Sequence, residues 1–271
     1  MEEKALRLSA VFLMILTAVS FVLLPKLPAL HTWEAEAREE RIAEEEFAQS
    51  QVTMQNLKIK EQNEAAGAKG ELSIRLPEGV TGDQIAVSSD YVTQTIRVEI
   101  PQADRTYFDS YPVLGNSDYI DGLSYTRQEE TGVIEVTTNK VYELQTEYDT
   151  QTFYFNFLTP HEVYDKVVVI DAGHGGRAVG ANKQGINEKD IDLAIVLKLK
   201  EIFDNSDQNI GVYYTRTDDS NPTFDQRVQL ANKSDADLFI SIHNNSTRSG
   251  RMSGTSGTQV MYDETSEASR Q

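Results

Sequence analysis

The chain has 271 residues, 43 acidic against 25 basic, with a net charge of -18. That balance argues against nucleic acid as a partner, because phosphate contacts need a Lys/Arg surface, and the length allows about two packed domains. With no cysteine, disulfides and thiolate metal sites are excluded, so a metal here would be held by histidine and carboxylate alone.

Lys4 and Arg7 precede an uncharged apolar run from Leu8 to Leu24, which predicts a membrane anchor or signal segment over residues 1–30. Basic residues before the run, and seven acidic residues between Glu34 and Glu46 after it, orient a single-pass chain with its bulk outside the cell membrane. Cleavage of the segment would make the same domains secreted. Residues 31–70 read as a charged helical stalk or linker. Its sparse apolar positions, Ile42, Phe47, Val52, Met54, Leu57 and Ile59, do not hold a heptad, which favours a plain spacer, with a stalk-mediated dimer as the alternative.

Residues 71–160 change to short runs rich in Val, Ile, Thr, Tyr and Phe: Leu72 to Leu76, Tyr91 to Ile100, Gly132 to Thr138, Val141 to Glu147 and Thr152 to Phe157. Turn residues such as Pro77-Glu-Gly79 separate them, which predicts a small all-β antiparallel sandwich without catalytic residues.

From Lys166 the reading is α/β, an open and mostly parallel sheet with helices. Val167 to Ile170 is a continuous apolar strand of the kind buried on both faces. Asn187 with Asp190 predicts the start of a helix carrying Ile191, Ala194, Ile195, Leu199 and Ile202 at helical spacing. Ile210 to Thr215 is a second strand, Thr223 with Gln226 caps a second helix through Ala231, and Leu238 to Ile242 is a third strand. Gln259 to Tyr262 offers one more.

Open α/β sheets bind ligands beyond the carboxyl ends of their strands. His174 follows the first strand, His243 ends the third, and Glu188 opens the intervening helix. Two imidazoles and one carboxylate are the donor set of a catalytic zinc that keeps one coordination position open. Gly173, Gly175 and Gly176 let the backbone pass close to a metal, and Asp171 is placed to fix a histidine ring from behind. The same glycines do not make a dinucleotide loop, since the helix begins only near Glu188 and the next strand ends in Thr215-Arg216. His31 and His161 lie in linker sequence and read as incidental.

Five phrases in order carry a family resemblance: Val-Val-Val-Ile-Asp-Ala-Gly-His-Gly-Gly (167–176), Asn-Glu-Lys-Asp (187–190), Tyr-Thr-Arg-Thr-Asp-Asp (214–219), Gln-Arg-Val-Gln-Leu-Ala-Asn (226–232) and Ala-Asp-Leu-Phe-Ile-Ser-Ile-His-Asn-Asn (236–245). Over residues 166–271 the chain resembles zinc-dependent N-acetylmuramoyl-L-alanine amidases of the Amidase_3 family. The resemblance implies Zn2+ on His174, Glu188 and His243, structural or substrate-orienting roles for Arg216, Arg227 and Asn245, and peptidoglycan as substrate. It also implies a general-base glutamate in a later strand-end phrase, expected beyond residue 271. Glu264 and Glu267 read as solvated, so the catalytic domain is expected to be incomplete at its C-terminus and no base is identified. The β-rich segment loosely resembles the AMIN-type modules that localise such enzymes. The competing expectation is a zinc-containing wall-binding or regulatory protein without catalysis.

Overall fold

The structure is a computed structural model that describes residues 27–50, 55–58, 60–61, 70–244, 254 and 257–262. The apolar run 8–24 lies outside the described residues, as do Asn245, Glu264 and Glu267. No helix among the described residues is long and apolar enough to cross a membrane.

Helix α1 spans Leu27–Ser50. It falls within the stretch expected as a charged helical stalk or linker, and its middle is packed: Ala43 is buried and several of its glutamates reach the C-terminal region. The helical reading stops too late. After Ser50 the chain forms two edge strands, β1 (Gln55–Asn56) and β2 (Lys60–Glu61), each of which joins a sheet.

Two five-stranded sheets come next. One has the order β1-β7-β8-β5-β4, with β4 Ala86–Asp90, β5 Thr95–Pro101, β7 Ile120–Gln128 and β8 Thr131–Thr138. The other is β2-β6-β3-β10-β9, with β3 Leu72–Arg75, β6 Leu114–Gly115, β9 Glu143–Tyr148 and β10 Thr152–Leu158. Pairing is antiparallel throughout except for β2 with β6, which is parallel. Leu72, Ile74 and Phe155 of one sheet share a single core with Val98, Ile134 and Val136 of the other. Each such buried side chain contributes about 1.5–3 kcal/mol relative to exposure. A short helix α2 (Arg105–Ser110), started by Asp104 accepting from the Tyr107 N–H, closes one end with Phe108.

The β-rich segment is joined to the α/β segment by packed side chains. Val141 is buried with Val167, Val169, Tyr213 and Leu230. Glu143 accepts from the hydroxyls of Tyr91 and Tyr213 at 3.0 and 2.6 Å, and those two rings meet edge to face.

After a one-turn helix α3 (Pro160–Val163), strand β11 (Lys166–Ala172) lies between β14 (Ile210–Tyr214) and β15 (Leu238–Ile242), parallel to both. A small antiparallel pair, β12 (Asn182–Lys183) with β13 (Ile186–Asn187), leads into helix α4 (Glu188–Asp204). That helix covers one face of the sheet, packing Val196 on Ile170 and Ala172. Helix α5 (Phe224–Lys233) covers the other, packing Leu230 on Val167 and Val169. Alternate residues of β11 therefore enter different cores, as a strand buried on both faces requires. The Thr223–Gln226 capping box is formed, with Thr223 Oγ1 accepting from Gln226 N at 3.1 Å.

Three expectations need correction here. Asn187 does not cap α4 through its side chain; its amide donates instead to Asp190 Oδ2 at 2.8 Å. Of the apolar face expected of Ile191, Ala194, Ile195, Leu199 and Ile202, Leu199 packs against the sheet, whereas Ile191, Ile195 and Ile202 are 38, 40 and 65% exposed, because α4 turns Glu188, Asp192 and Val196 inward. Gln259 to Tyr262 is irregular and exposed rather than a strand. On β15, Leu238, Phe239 and Ile240 are also 48, 40 and 39% exposed.

Candidate metal centre

The register of β11 and β15 brings the histidines together. Ala172 pairs with Ile242 at the carboxyl ends of the two strands, and Gly173 N donates to Ile242 O at 3.0 Å, so His174 and His243 leave the sheet side by side. Glu188 enters from the first residue of α4. His174 Nε2 lies 3.2 Å from His243 Nδ1 and 3.2 Å from Glu188 Oε1, while His243 Nδ1 lies 3.4 Å from Glu188 Oε1. Three donor atoms from three segments thus point at one another, with His243 the most exposed of the three at 47%.

Backbone amides hold the carboxylate in place: Ala181 N donates to Glu188 Oε2 at 2.8 Å and Asn244 N to Oε1 at 2.7 Å. Burial opposes its ionisation, but contacts to His174, His243 and these amides prevail and hold the pKa far below the usual carboxylate range. Burial likewise disfavours the charged His174, yet Glu188 and Glu39 outweigh it and raise that ring to about 9.

A fourth group went unread in the sequence. Asp192, fully buried one turn after Glu188, offers a carboxylate oxygen within 4.8 Å of the other donors. Its Oδ1 accepts from Asn244 Nδ2 at 2.6 Å, and its Oδ2 is buried with no hydrogen-bond partner. Burial pushes its pKa up to about 6. The i,i+4 spacing from Glu188 was the available signal, since such residues share one helix face.

Asp171 does not orient a histidine. Its side chain faces the α5 side of the sheet and accepts from Thr215 Oγ1, Ser241 Oγ and Arg227 Nη1. The carboxylate on a histidine ring is instead Glu39 of α1, whose Oε2 lies 3.0 Å from His174 Nδ1. No local pattern could reveal a pair 135 residues apart.

The two arginines frame the loop that carries His174. Arg216 donates to the carbonyls of Ala172, Gly173, Asp218 and Lys189. Arg227 donates to those of Ala172, His174 and Pro222. Lys189, beside the ligand glutamate, reaches back to Gly176 O and Asp219. His161 contacts Asp235 O, away from the centre. A cavity of about 310 Å³ between α1 and residues 219–222 is lined by none of His174, Glu188 and His243.

His174 sits at φ 58°, a conformation that costs a non-glycine residue of order 1–3 kcal/mol. Gly173 allows the close approach of His243, since a β-carbon there would collide with the His243 ring. We expect Gly173→Ala to keep the fold but lower metal affinity by at least about 10-fold, the low end of what disturbed ligand support costs. Competition with a chromogenic chelator measures it, and unchanged affinity would contradict the packing described.

Residues 168–271 match the Amidase_3 family, described as N-acetylmuramoyl-L-alanine amidase. The endolysin of Bacillus phage SPP1 is 45% identical over 86 residues, covering 32% of this chain and 31% of that protein. The N-acetylmuramoyl-L-alanine amidase CwlM of Bacillus licheniformis is 41% identical over 78 residues, 29% of this chain and 31% of its own length. The solved catalytic domain of the amidase CwlV from Bacillus (Paenibacillus) polymyxa is 41% identical, covering 31% of this chain and 47% of that one at a TM-score of 0.30. The chain thus spans about a third of the length of these two curated relatives.

Proposed function

We propose that the protein is a zinc-dependent N-acetylmuramoyl-L-alanine amidase, hydrolysing the amide between N-acetylmuramic acid and the L-alanine of the peptidoglycan stem peptide. The observation that carries this is the triangle of donor atoms. Tetrahedral zinc takes nitrogen and oxygen donors at about 2.0–2.1 Å, so any two corners stand about 3.3 Å apart. The measured sides are 3.2, 3.2 and 3.4 Å. His174, Glu188 and His243 would hold the ion, and the family match over residues 168–271 supports its use in amide hydrolysis.

Zinc bound there would polarise the scissile carbonyl and lower the pKa of water toward neutrality. The chain's own residues hold the donors and their loop in place. Glu188 is held by two backbone amides, His174 by its loop and Glu39, and the arginines lock the loop to the sheet. Asp192, with a buried and unpartnered Oδ2, is placed to hold a proton beside the donors. The family resemblance gives Asn245, which lies outside the described residues, a substrate-orienting role.

The substrate lies outside the cell membrane, so in this reading residues 8–24 export or anchor the chain and the β-rich segment holds the catalytic part toward the wall. The test is zinc-loaded full chain incubated with purified sacculi, followed by amine labelling of what is released. We expect stem peptides bearing a new L-alanine amino terminus. Binding to sacculi with no such release would contradict the reading in favour of a non-catalytic wall-binding protein.

A further inference from the structure

Helix α1 lies outside the segment that matches the amidase family, yet its carboxylates converge on the loop that carries His174. Glu39, Ile42, Ala43 and Glu46 recur at i, i+3, i+4 and i+7, the spacing of one helix face. Ala43 is buried at the middle of that face. Glu46 Oε1 accepts from both N and Nε of Arg177 at 3.0 and 3.1 Å, Glu45 adds a contact to Arg177 Nη2, and Arg177 also reaches Ile42 O. From the adjacent face, Glu40 accepts from Phe224 N, at the first residue of α5. Three carboxylates, Glu40, Glu45 and Glu46, thus hold the helix, and the geometry they hold sets Glu39 Oε2 against His174 Nδ1.

We infer that Glu39 is a positioning residue of the metal centre, which α1 completes from outside the amidase segment. An ionised carboxylate only accepts, so the ring nitrogen facing Glu39 must be the donor. In the neutral ring the lone pair is then left on Nε2, the atom that faces Glu188 and His243. A carboxylate on the far nitrogen of a ligand histidine fixes the tautomer, fixes the ring plane and raises ligand basicity. Asp171, the acidic residue nearest in sequence, is committed to Arg227, Thr215 and Ser241 and does not supply this contact.

The inference rests on the zinc reading and is tested separately from catalysis, in the full chain, by zinc affinity under chelator competition and by the visible spectrum of the cobalt(II)-substituted protein. Glu39→Ala is expected to weaken zinc binding by about 10- to 100-fold, the usual loss when such a partner is removed. Glu39→Gln keeps an acceptor and should fall between wild type and the alanine variant, with an altered cobalt spectrum in both. Glu44→Gln removes the same charge from an exposed position of the same helix and should leave affinity and spectrum unchanged. Wild-type affinity in Glu39→Ala would overturn the inference, as would an equal loss in Glu44→Gln, which would reduce the effect to general charge. Wild-type protein that takes up no zinc would instead overturn the zinc reading itself.

Discussion

His174→Ala and Glu188→Ala should each reduce zinc uptake from about one ion per chain to almost none at micromolar free metal. The outer carboxylate alone is worth about 10- to 100-fold in affinity, so removing a direct donor should cost more than about 100-fold. Asp192→Asn is the internal contrast. Asp192 is within 4.8 Å of the other donors but stands outside the 3.2–3.4 Å triangle, so this variant should still bind close to one equivalent. Inductively coupled plasma analysis after dialysis reads all three variants. Full zinc retention in His174→Ala, or its loss only in Asp192→Asn, would mean that the donors are assigned wrongly.

The second large effect concerns the frame behind the site. Arg227→Met should destabilise the protein by about 3–5 kcal/mol, because it leaves the Asp171 carboxylate buried and without its counter-ion. Both side chains are nearly inaccessible, at 6 and 4%. Burial works against the ionised Asp171, but the Arg227 charge and the hydrogen bonds from Ser241 and Thr215 overcome it and leave the pKa below the usual value. A lowered carboxylate pKa stabilises the folded state above the unfolded value of about 3.9, and that contribution is lost as pH falls through the folded value. In Arg227→Met the buried carboxyl should titrate high instead. The gap between wild type and variant in thermal unfolding should therefore be widest at neutral pH and narrow toward about pH 4. A gap that is small near neutrality, or that widens with acid, would contradict the role given to the pair.

Much of the α/β part was legible because its elements are short and carry unambiguous patterns. Val167 to Ile170 lies in the buried strand expected there, Leu238 to Ile242 keeps its expected bounds, and Thr223 with Gln226 marks a capping box that the structure forms. Residues 120–128, the longest strand, gave no expectation because a register shift between Ile120 and Gly122 breaks the alternation. The buried residues Ile120, Leu123 and Tyr125 are spaced by three and then two. Strand β4, Ala86–Asp90, was silent because none of its side chains is buried. The expected strand from Tyr91 begins only at Thr95, since Asp90 ties the backbone amides of Val92 and Thr93 into a turn.

At the site, the three donors were readable from local phrases, whereas the residues around them were not. Asp171 looked like the natural partner of a histidine because it stands three residues away. The alternation of β11 sends it to the α5 face instead, where Arg227 takes it. Glu39 carries no signal among seven acidic residues between Glu34 and Glu46, and only the docking of α1 singles it out. Asp192 was visible as the next residue on the Glu188 face of α4, but the apolar stripe of Ile191 and Ile195 beside it drew the helix face wrongly.

The most direct test of the centre is zinc K-edge X-ray absorption on the full chain loaded with one equivalent of zinc. The account predicts a four-coordinate ion with nitrogen and oxygen scatterers at about 2.0–2.1 Å and outer-shell features of two imidazoles. A six-coordinate oxygen shell, or one with no imidazole signature, would contradict it.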